Sequence, residues 1–283
     1  MHLGISSYTY GWSIGVTGMF PAKPFTEFDL VRKAADFGLS VLQLGDNLPL
    51  HEFDRSRLEE FKEELKKCNL QLEIGARGLT DEHLSDYIEL AREMRSGILR
   101  FVIDTHHYEP STEEIIRVIK NHEYLLQRNK IILALENHDR LKAISFAQII
   151  EQVNSKYVGI CLDTANSLGA GESIETILEV LAPYTMNLHI KDFVIERLPH
   201  KMGFLIEGRP AGKGILNIPG LLQKVKSYGR CNSAILEQWV PPLENIEKTI
   251  IKEEQWAELS IGYLKNVEAW ENSSLISIHQ NNN

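Results

Sequence analysis

Residues 131–136 (Ile-Ile-Leu-Ala-Leu-Glu) and 158–163 (Val-Gly-Ile-Cys-Leu-Asp) are two short, nearly continuous apolar runs. Between them, residues 143–153 carry apolar side chains at three- and four-residue spacing. The runs are typical of strands that are covered on both faces, and the spacing is typical of an amphipathic helix. A strand, a helix and a second strand in this order form the repeating unit of a parallel sheet with helices outside it.

The same alternation continues in both directions along the chain and gives eight strand–helix pairs. Eight such pairs predict a single (β/α)8 TIM barrel of class α/β, with eight parallel strands inside a ring of helices. Residues 1–266 are expected to form this barrel, and residues 267–283 a polar C-terminal tail. The predicted strands are Leu3–Tyr8, Val41–Gly45, Leu72–Ala76, Leu99–Asp104, Ile131–Glu136, Val158–Asp163, Met186–Lys191 and Ala234–Glu237. The predicted helices are Phe25–Gly38, Arg55–Cys68, Asp81–Arg95, Thr112–Arg128, Ala143–Val153, Ser173–Tyr184, Ile218–Tyr228 and Asn245–Leu264.

The composition excludes several classes of partner. The 283 residues are 43% hydrophobic with a formal net charge of −9, and no apolar run approaches the roughly 20 residues that cross a bilayer. The lack of such a run predicts no membrane span. Because nucleic-acid binding requires a basic face, we expect a small polar substrate and no nucleic-acid partner. The N-terminus lacks a secretory pattern, so a cytoplasmic location is expected. Cys68, Cys161 and Cys231 are widely spaced and are expected to be structural.

Two segments interrupt the alternation at strand ends. Residues 9–24 and 193–216 are rich in glycine and proline and long for connections between a strand and a helix. Barrel enzymes place their active sites at the C-terminal ends of the strands, where both segments lie. We interpret them as substrate-covering loops, with ordinary solvated loops as the alternative.

Four predicted strands end in a side chain that can bind a metal: Glu136, Asp163, His189 and Glu237. Buried charges cost several kcal/mol unless they are paired or bound to a cation. The ends of neighbouring barrel strands are close together, so these four residues are predicted to share one divalent ion. Three carboxylates and an imidazole favour Mn²⁺ or Mg²⁺, with Co²⁺ and Zn²⁺ as alternatives.

Such a site favours a particular chemistry. A divalent ion can chelate the carbonyl and an adjacent hydroxyl of a sugar and stabilise an enediolate. Glu136 and Glu237 project from different strands and are the candidates for catalytic base and acid. The sequence therefore predicts a metal-dependent isomerase or epimerase of a sugar or keto-sugar, phosphorylated or not.

The segments Leu-Asp-Thr-Ala-Asn (162–166) and His-Ile-Lys-Asp (189–192) resemble the xylose isomerase-like TIM barrel superfamily of sugar isomerases and epimerases. In its tagatose and allulose 3-epimerases, a Glu, an Asp, a His and a second Glu bind the metal, and the two glutamates transfer protons. The resemblance implies the same roles for the four residues named above, and it also implies a homo-oligomer. The chain departs from that pattern at Asn166, where many members have His, and at Lys191, since the epimerases have an arginine shortly after the metal-binding histidine.

Together with Met-Gly-Phe-x-x-x-Gly-Arg-Pro-Ala-Gly (202–212), these segments also resemble the 3-oxo-isoapionate decarboxylase branch. Membership of that branch implies the alternative function, a metal-dependent decarboxylase of a 3-oxo sugar acid. A substrate carboxylate then needs a cation, for which Lys191, Arg209 and Lys213 are the candidates.

Further candidates for substrate binding follow other strands. The full predicted substrate-binding set is Tyr8, Trp12, His138, Asn166, Lys191 and Arg209, with Asp46, Arg77 and His106 as additional rim residues. Two other classes of protein fit the sequence less well. A repair endonuclease requires more histidines and a basic groove, neither of which is evident, and a non-catalytic sugar-binding protein does not require the opposed Glu136 and Glu237.

Overall fold

The computed structural model describes residues 1–267 and residue 270, and most of the predicted tail lies outside this part. Eight parallel strands close into a barrel, and the helices surround it, so the predicted TIM barrel is confirmed. The barrel strands are β1 (His2–Ser6), β2 (Val41–Leu44), β3 (Gln71–Arg77), β4 (Ile98–Val102), β5 (Ile132–Glu136), β6 (Val158–Asp163), β7 (Thr185–Ile190) and β10 (Ser233–Leu236). The helices are α1 (Gly11–Ile14), α2 (Glu27–Asp36), α3 (Arg55–Lys67), α4 (Asp81–Met94), α5 (Thr112–Asn129), α6 (Ala143–Val153), α7 (Ile174–Leu181), α8 (Ile218–Lys226) and α9 (Ile246–Lys265).

The core lies between the strands and the ring of helices. Each barrel strand is almost entirely buried, and the amphipathic helices contribute buried aromatic side chains such as Phe61, Tyr87 and Phe146. Each such side chain contributes roughly 1.5–3 kcal/mol through its burial.

Thr80 and Ser111 accept hydrogen bonds from the backbone N–H groups of His83 and Glu114, so they cap α4 and α5. None of the helices in the described part of the chain is long and apolar enough to span a membrane.

The segment predicted as a loop at residues 193–216 is only partly a loop. It contains an antiparallel hairpin of β8 (Asp192–Arg197) and β9 (Phe204–Arg209), with Ile195 paired to Ile206. The expectation was wrong because the glycines concealed two short runs rich in β-branched and aromatic residues. The turn between them includes Lys201 and Gly203, both at positive φ.

A second correction concerns the first strand, which was predicted to continue to Tyr8. The strand ends at Ser6, whose side chain accepts a hydrogen bond from the Tyr8 backbone and begins a 3₁₀ turn over Ser7–Tyr10. The short helix α1 follows directly, so the segment after β1 is more ordered than a loop. A side chain that competes for backbone donors ends the strand, which apolar periodicity alone does not reveal.

Asp192 holds the hairpin against the barrel. Its carboxylate accepts hydrogen bonds from the backbone N–H groups of Gly212 (2.9 Å), Gly214 (2.9 Å) and Leu216 (3.2 Å). A Cβ at Gly214 would lie 2.0 Å from an Asp192 oxygen, so only glycine permits this close approach. The hairpin is therefore fixed at its base, next to the C-terminal end of β7.

Glu253 on α9 fixes the other long segment. Its buried carboxylate accepts hydrogen bonds from the backbone N–H groups of Trp12 (2.8 Å) and Ser13 (2.9 Å) and from the Ser13 hydroxyl (2.6 Å). Burial raises the pKa of Glu253 to about 7, against the opposing effect of these hydrogen bonds.

This raised pKa predicts a pH-dependent contribution to stability. The folded protein binds the Glu253 proton more tightly than the unfolded chain does, so the contribution is present at low pH and is lost as the pH rises from about 4.5 to about 7. We expect this loss to be about 3 kcal/mol in the wild type and to be absent in Glu253→Gln. Urea unfolding across this range measures it, with Glu258→Gln, an exposed glutamate of the same helix, as control. Parallel pH profiles for the wild type and Glu253→Gln would contradict the prediction.

Candidate metal centre

The barrel brings the four predicted metal-binding residues to one point. Asp163 is paired with His189 across β6 and β7, Glu136 ends the adjacent strand β5, and Glu237 directly follows β10 on the other side of β7. All four side chains are at most 1% exposed. Apolar strands thus carry one imidazole and three carboxylates into the interior at the C-terminal end of the barrel.

The imidazole of His189 lies at the middle of this group. Its Nδ1 atom is 3.5 Å from a Glu136 oxygen, 3.7 Å from an Asp163 oxygen and 3.5 Å from a Glu237 oxygen. Nδ1 is buried and has no hydrogen-bond partner. Ligand atoms of Asp163, His189 and Glu237 lie within 4.8 Å of one another. A buried, unpartnered nitrogen facing three carboxylates fits a divalent cation.

Cys161 also lies within reach of Glu136 and His189. Burial raises the pKa of its thiol far above the ordinary value, and the thiol donates to the side-chain oxygen of Asn187 at 3.1 Å. This hydrogen bond joins the sulfur to the polar side chains of the barrel interior.

Lys191 places a cation inside the centre. Its Nζ atom is 2.8 Å from an oxygen of Asp163 and 2.8 Å from an oxygen of Glu237. Burial opposes the charged form, but these carboxylates outweigh it and raise the pKa of Lys191 well above its usual value. Burial alone would raise the pKa of Glu237, but the nearby charges of His189 and Lys191 hold it below its usual range.

Arg100 is a second buried cation, and it is not among the site residues predicted from the sequence. It lies on β4, contacts a Glu136 oxygen through Nε and places NH1 2.8 Å from Asp46. The carboxylates of Glu136 and Asp46 outweigh burial and raise its pKa. A lone arginine inside the apolar run Ile-Leu-Arg-Phe-Val (98–102) was the available signal, because a buried arginine requires a carboxylate partner.

The ion pairs extend outward to the rim of the barrel. Arg77 donates to the second Asp46 oxygen at 2.9 Å, and one of its terminal nitrogens lies 3.5 Å from a ring nitrogen of His138. His138 is partly exposed and follows Glu136 by two residues. Arg77, Asp46, Arg100 and Glu136 therefore form a continuous chain of charges from the rim into the centre.

Two predicted substrate-binding residues lie beside the centre. Asn166 donates to Glu136 at 2.7 Å, and its side-chain oxygen is 3.5 Å from Nζ of Lys191. The ring of Tyr8 lies beside Arg100, whose Cζ atom is 5.8 Å from the ring centroid. A Cβ at Gly45 would lie 2.8 Å from the Tyr8 ring, so this glycine makes room for it.

Other predicted residues have different contacts. Trp12 donates its indole N–H to the carbonyl of Val240 at 2.9 Å, which joins the segment after β1 to the segment after β10. Arg209 lies on β9, and its ion pairs within the described part of the chain are with Glu196 and Glu207 of the hairpin. His106 lies beside His107 in the exposed turn after β4, with the two rings tilted by 55° and their centroids 4.5 Å apart.

The comparisons agree with this architecture. A family model described as a xylose isomerase-like TIM barrel matches residues 31–267, so the chain belongs to this family. It is 27% identical over 264 residues to the 3-oxo-isoapionate decarboxylase of Pectobacterium atrosepticum. This alignment covers 93% of this chain and 95% of that protein.

Solved structures with the same fold include the following two. One is a xylose isomerase-like TIM barrel protein from Mycobacterium smegmatis in complex with magnesium, with TM-score 0.68, 16% identity, and coverage of 93% of this chain and 97% of that chain. The other is the D-psicose 3-epimerase of Clostridium cellulolyticum H10 with D-tagatose, with TM-score 0.70, 13% identity, and coverage of 94% and 97%.

The position of Lys191 predicts opposite effects on stability and on metal binding. In Lys191→Met, Asp163 and Glu237 lose their cation, so we expect the free energy of unfolding without metal to fall by about 3 kcal/mol. Added Mn²⁺ should then stabilise the variant more than the wild type, because no ammonium repels the ion. Thermal unfolding over a series of Mn²⁺ concentrations measures both effects.

The matched control for this experiment is Lys224→Met, which removes an exposed lysine of α8. It should behave like the wild type with and without Mn²⁺. A smaller Mn²⁺-induced shift in Lys191→Met than in the wild type would show that Lys191 supports ion binding and would contradict the prediction.

Proposed function

We propose that the protein is a divalent-metal-dependent lyase that removes carbon dioxide from a 3-oxo sugar acid. One observation carries this proposal: each of the two glutamates expected to transfer protons lies against a buried cation. Arg100 contacts Glu136, and Lys191 lies 2.8 Å from Glu237. Despite its burial, Glu237 has a pKa held below its usual range by His189 and Lys191, which makes it a weaker base toward a C–H bond, and the Glu136 oxygen that contacts Arg100 is already occupied by that guanidinium. Decarboxylation breaks a C–C bond instead and requires no base at that carbon.

The charge balance also favours an anionic substrate. Three cationic side chains face four carboxylates, so a bound divalent ion would leave the centre with a net positive charge. A neutral ketose gains little from such a site, whereas a sugar acid supplies the missing negative charge. The groups in this balance are the cations Arg77, Arg100 and Lys191 and the carboxylates Asp46, Glu136, Asp163 and Glu237.

The relative from Pectobacterium atrosepticum supports the same choice. Its name describes the removal of carbon dioxide from a 3-oxo sugar acid, and the alignment extends over nearly the whole of both chains. The epimerase structure is aligned over a similar length but at about half the sequence identity.

The residues of the chain have distinct roles in this reaction. Glu136, Asp163, His189 and Glu237 would hold the ion, for which three carboxylates and one imidazole favour Mn²⁺ or Mg²⁺. When bound, the ion supplies Lewis-acid stabilisation of the negative charge that develops on the ketone oxygen.

Lys191 orients the substrate carboxylate at the centre, and Asn166, which contacts both Glu136 and Lys191, is placed to bind a hydroxyl. The carbon that loses carbon dioxide takes up a proton. Burial and Asp46 raise the pKa of Tyr8, so its hydroxyl is neutral and available as a donor on this side of the mouth.

Epimerisation of a keto-sugar is the second candidate, and one observation favours it. Glu136 and Glu237 lie on different sides of His189, each with an oxygen 3.5 Å from Nδ1, as a base and an acid acting on opposite faces of a substrate require. Both reactions pass through an enediolate, so the same scaffold suits either.

The test is a direct comparison of the two reactions. Protein loaded with Mn²⁺ or Mg²⁺ is incubated with 3-oxo-isoapionate and linear 3-oxo aldonic acids, and carbon dioxide release is measured. In parallel, D-fructose and D-tagatose are incubated in deuterium oxide, and deuterium uptake is followed by NMR. We expect metal-dependent carbon dioxide release and no deuterium uptake. Uptake without carbon dioxide release would favour the epimerase, and inactivity in both assays of protein that binds no metal would contradict both candidates.

Variants test the assigned role of Lys191. We expect Lys191→Met to lower kcat/KM by about 100-fold, since a substrate carboxylate would be left without its cation. Arg197→Met, which removes an exposed cation of the neighbouring hairpin, serves as the control and should stay within about threefold of the wild type. Equal kcat/KM values for Lys191→Met and the wild type would exclude Lys191 from carboxylate binding.

A further inference from the structure

A layer of polar side chains fills the barrel interior next to the metal centre. It consists of Gln43 on β2, Glu73 on β3, Asn187 on β7 and Ser233 on β10, and each is at most 5% exposed. Gln43 is paired with Glu73 in the sheet, and Asn187 with Ser233. Asn187 precedes His189 by two residues, so strand alternation directs both side chains to the same face.

The hydrogen bonds in this layer determine how the Gln43 amide is oriented. Its Nε2 atom is 2.9 Å from Glu73 Oε2 and 3.1 Å from the side-chain oxygen of Asn187. The same Glu73 oxygen accepts a hydrogen bond from Asn187 Nδ2 at 3.0 Å, while Ser233 donates to Oε1. Rotating the amide by half a turn would place its oxygen against two acceptors. The NH₂ group of Gln43 therefore faces Glu73 and Asn187.

This orientation does not depend on the charge of Glu73. Burial raises the pKa of Glu73, and a proton on its carboxyl would occupy Oε1, beside Ser233. Oε2 accepts two N–H groups in either state. The Gln43 oxygen consequently always points to the opposite side, toward His189.

The contact with His189 follows from this arrangement. Gln43 Oε1 lies 2.7 Å from His189 Nε2. An amide oxygen only accepts hydrogen bonds, so Nε2 must carry the hydrogen. In the neutral ring the lone pair is then on Nδ1, the unpartnered atom that faces the three carboxylates.

We propose that Gln43, held in orientation by Glu73, is a positioning residue that fixes His189 in the Nε2–H tautomer and presents Nδ1 to the divalent ion. The role of Nδ1 as a ligand rests on the proposed metal-dependent function, but the tautomer exists without metal. The network crosses the barrel interior from β2 and β3 to β7, so the ring is held by strands that provide no metal ligand themselves.

The first test observes the tautomer in the metal-free protein. Long-range ¹H–¹⁵N correlation spectra of histidine-labelled protein distinguish protonated from unprotonated ring nitrogens, and the His189→Asn variant assigns the signal. At alkaline pH, where the ring is neutral, we expect the Nε2–H form alone in the wild type and a mixture of both tautomers in Gln43→Met. A mixture or the Nδ1–H form in the wild type would overturn the proposal.

The second test measures Mn²⁺ affinity by electron paramagnetic resonance. We expect Gln43→Met to weaken binding by about 10- to 100-fold, as is usual when a hydrogen-bond partner of a metal-binding histidine is lost. Thr185→Val is the matched control, because it removes a buried hydroxyl at the start of β7 that donates to the Leu181 carbonyl and makes no hydrogen bond to the polar layer. It should bind Mn²⁺ within about twofold of the wild type.

The double variant Gln43→Glu/Glu73→Gln separates positioning from folding. It exchanges the carboxylate and the amide, so residue 43 still accepts from His189, and residue 73 donates to residue 43. The Asn187 amide then turns by half a turn, so that its NH₂ group faces residue 43 and its oxygen faces residue 73. We expect this variant to regain most of the Mn²⁺ affinity. Unchanged affinity in Gln43→Met, when the wild type binds Mn²⁺, would overturn the positioning role alone. Failure of the wild type to bind Mn²⁺ would overturn the metal function, while the NMR result would still decide the tautomer.

Discussion

The neutralisation of buried carboxylates at the C-terminal end of the barrel is the constraint on which the site depends. Glu136, Asp163 and Glu237 are fully buried around one imidazole, an arrangement that costs many kcal/mol without compensating positive charge. Arg100 and Lys191 supply part of that charge through direct contacts. The closed barrel makes this possible, because its strands deliver acids and cations to one enclosed point from several directions.

The same compensation connects stability with chemistry. The lysine and the arginine that neutralise the centre also contact the two glutamates that a proton transfer would use, which is why we propose a reaction that starts from an anionic substrate. In the proposed function, the partners of the metal-binding residues therefore matter for the reaction as much as those residues themselves.

Support for the centre comes from two sides. Outside it, Asp46 joins Arg100 to Arg77 at the rim, and Asp192 fixes the hairpin beside Lys191. Inside the barrel, Gln43 and Glu73 orient the imidazole. Polar side chains inside a barrel require complete hydrogen bonding, and once it is complete they allow few alternative arrangements. This rigidity keeps the side chains of the candidate centre in place.

The sequence by itself determined the barrel and identified the four side chains that the barrel brings together. Apolar runs alternating with amphipathic stretches are local patterns, and each of Glu136, Asp163, His189 and Glu237 directly follows such a run. Only the tertiary structure decided the partners. Arg100, Gln43 and Glu73 lie within or beside apolar strands, and their roles depend on side chains from 30 to 146 positions away that meet them inside the barrel. Arg209 was predicted from the sequence as a substrate-binding cation, as Lys191 was. The hairpin instead places its guanidinium against Glu196 and Glu207. Local periodicity specifies which face of a strand a side chain occupies, whereas barrel closure specifies what it meets there.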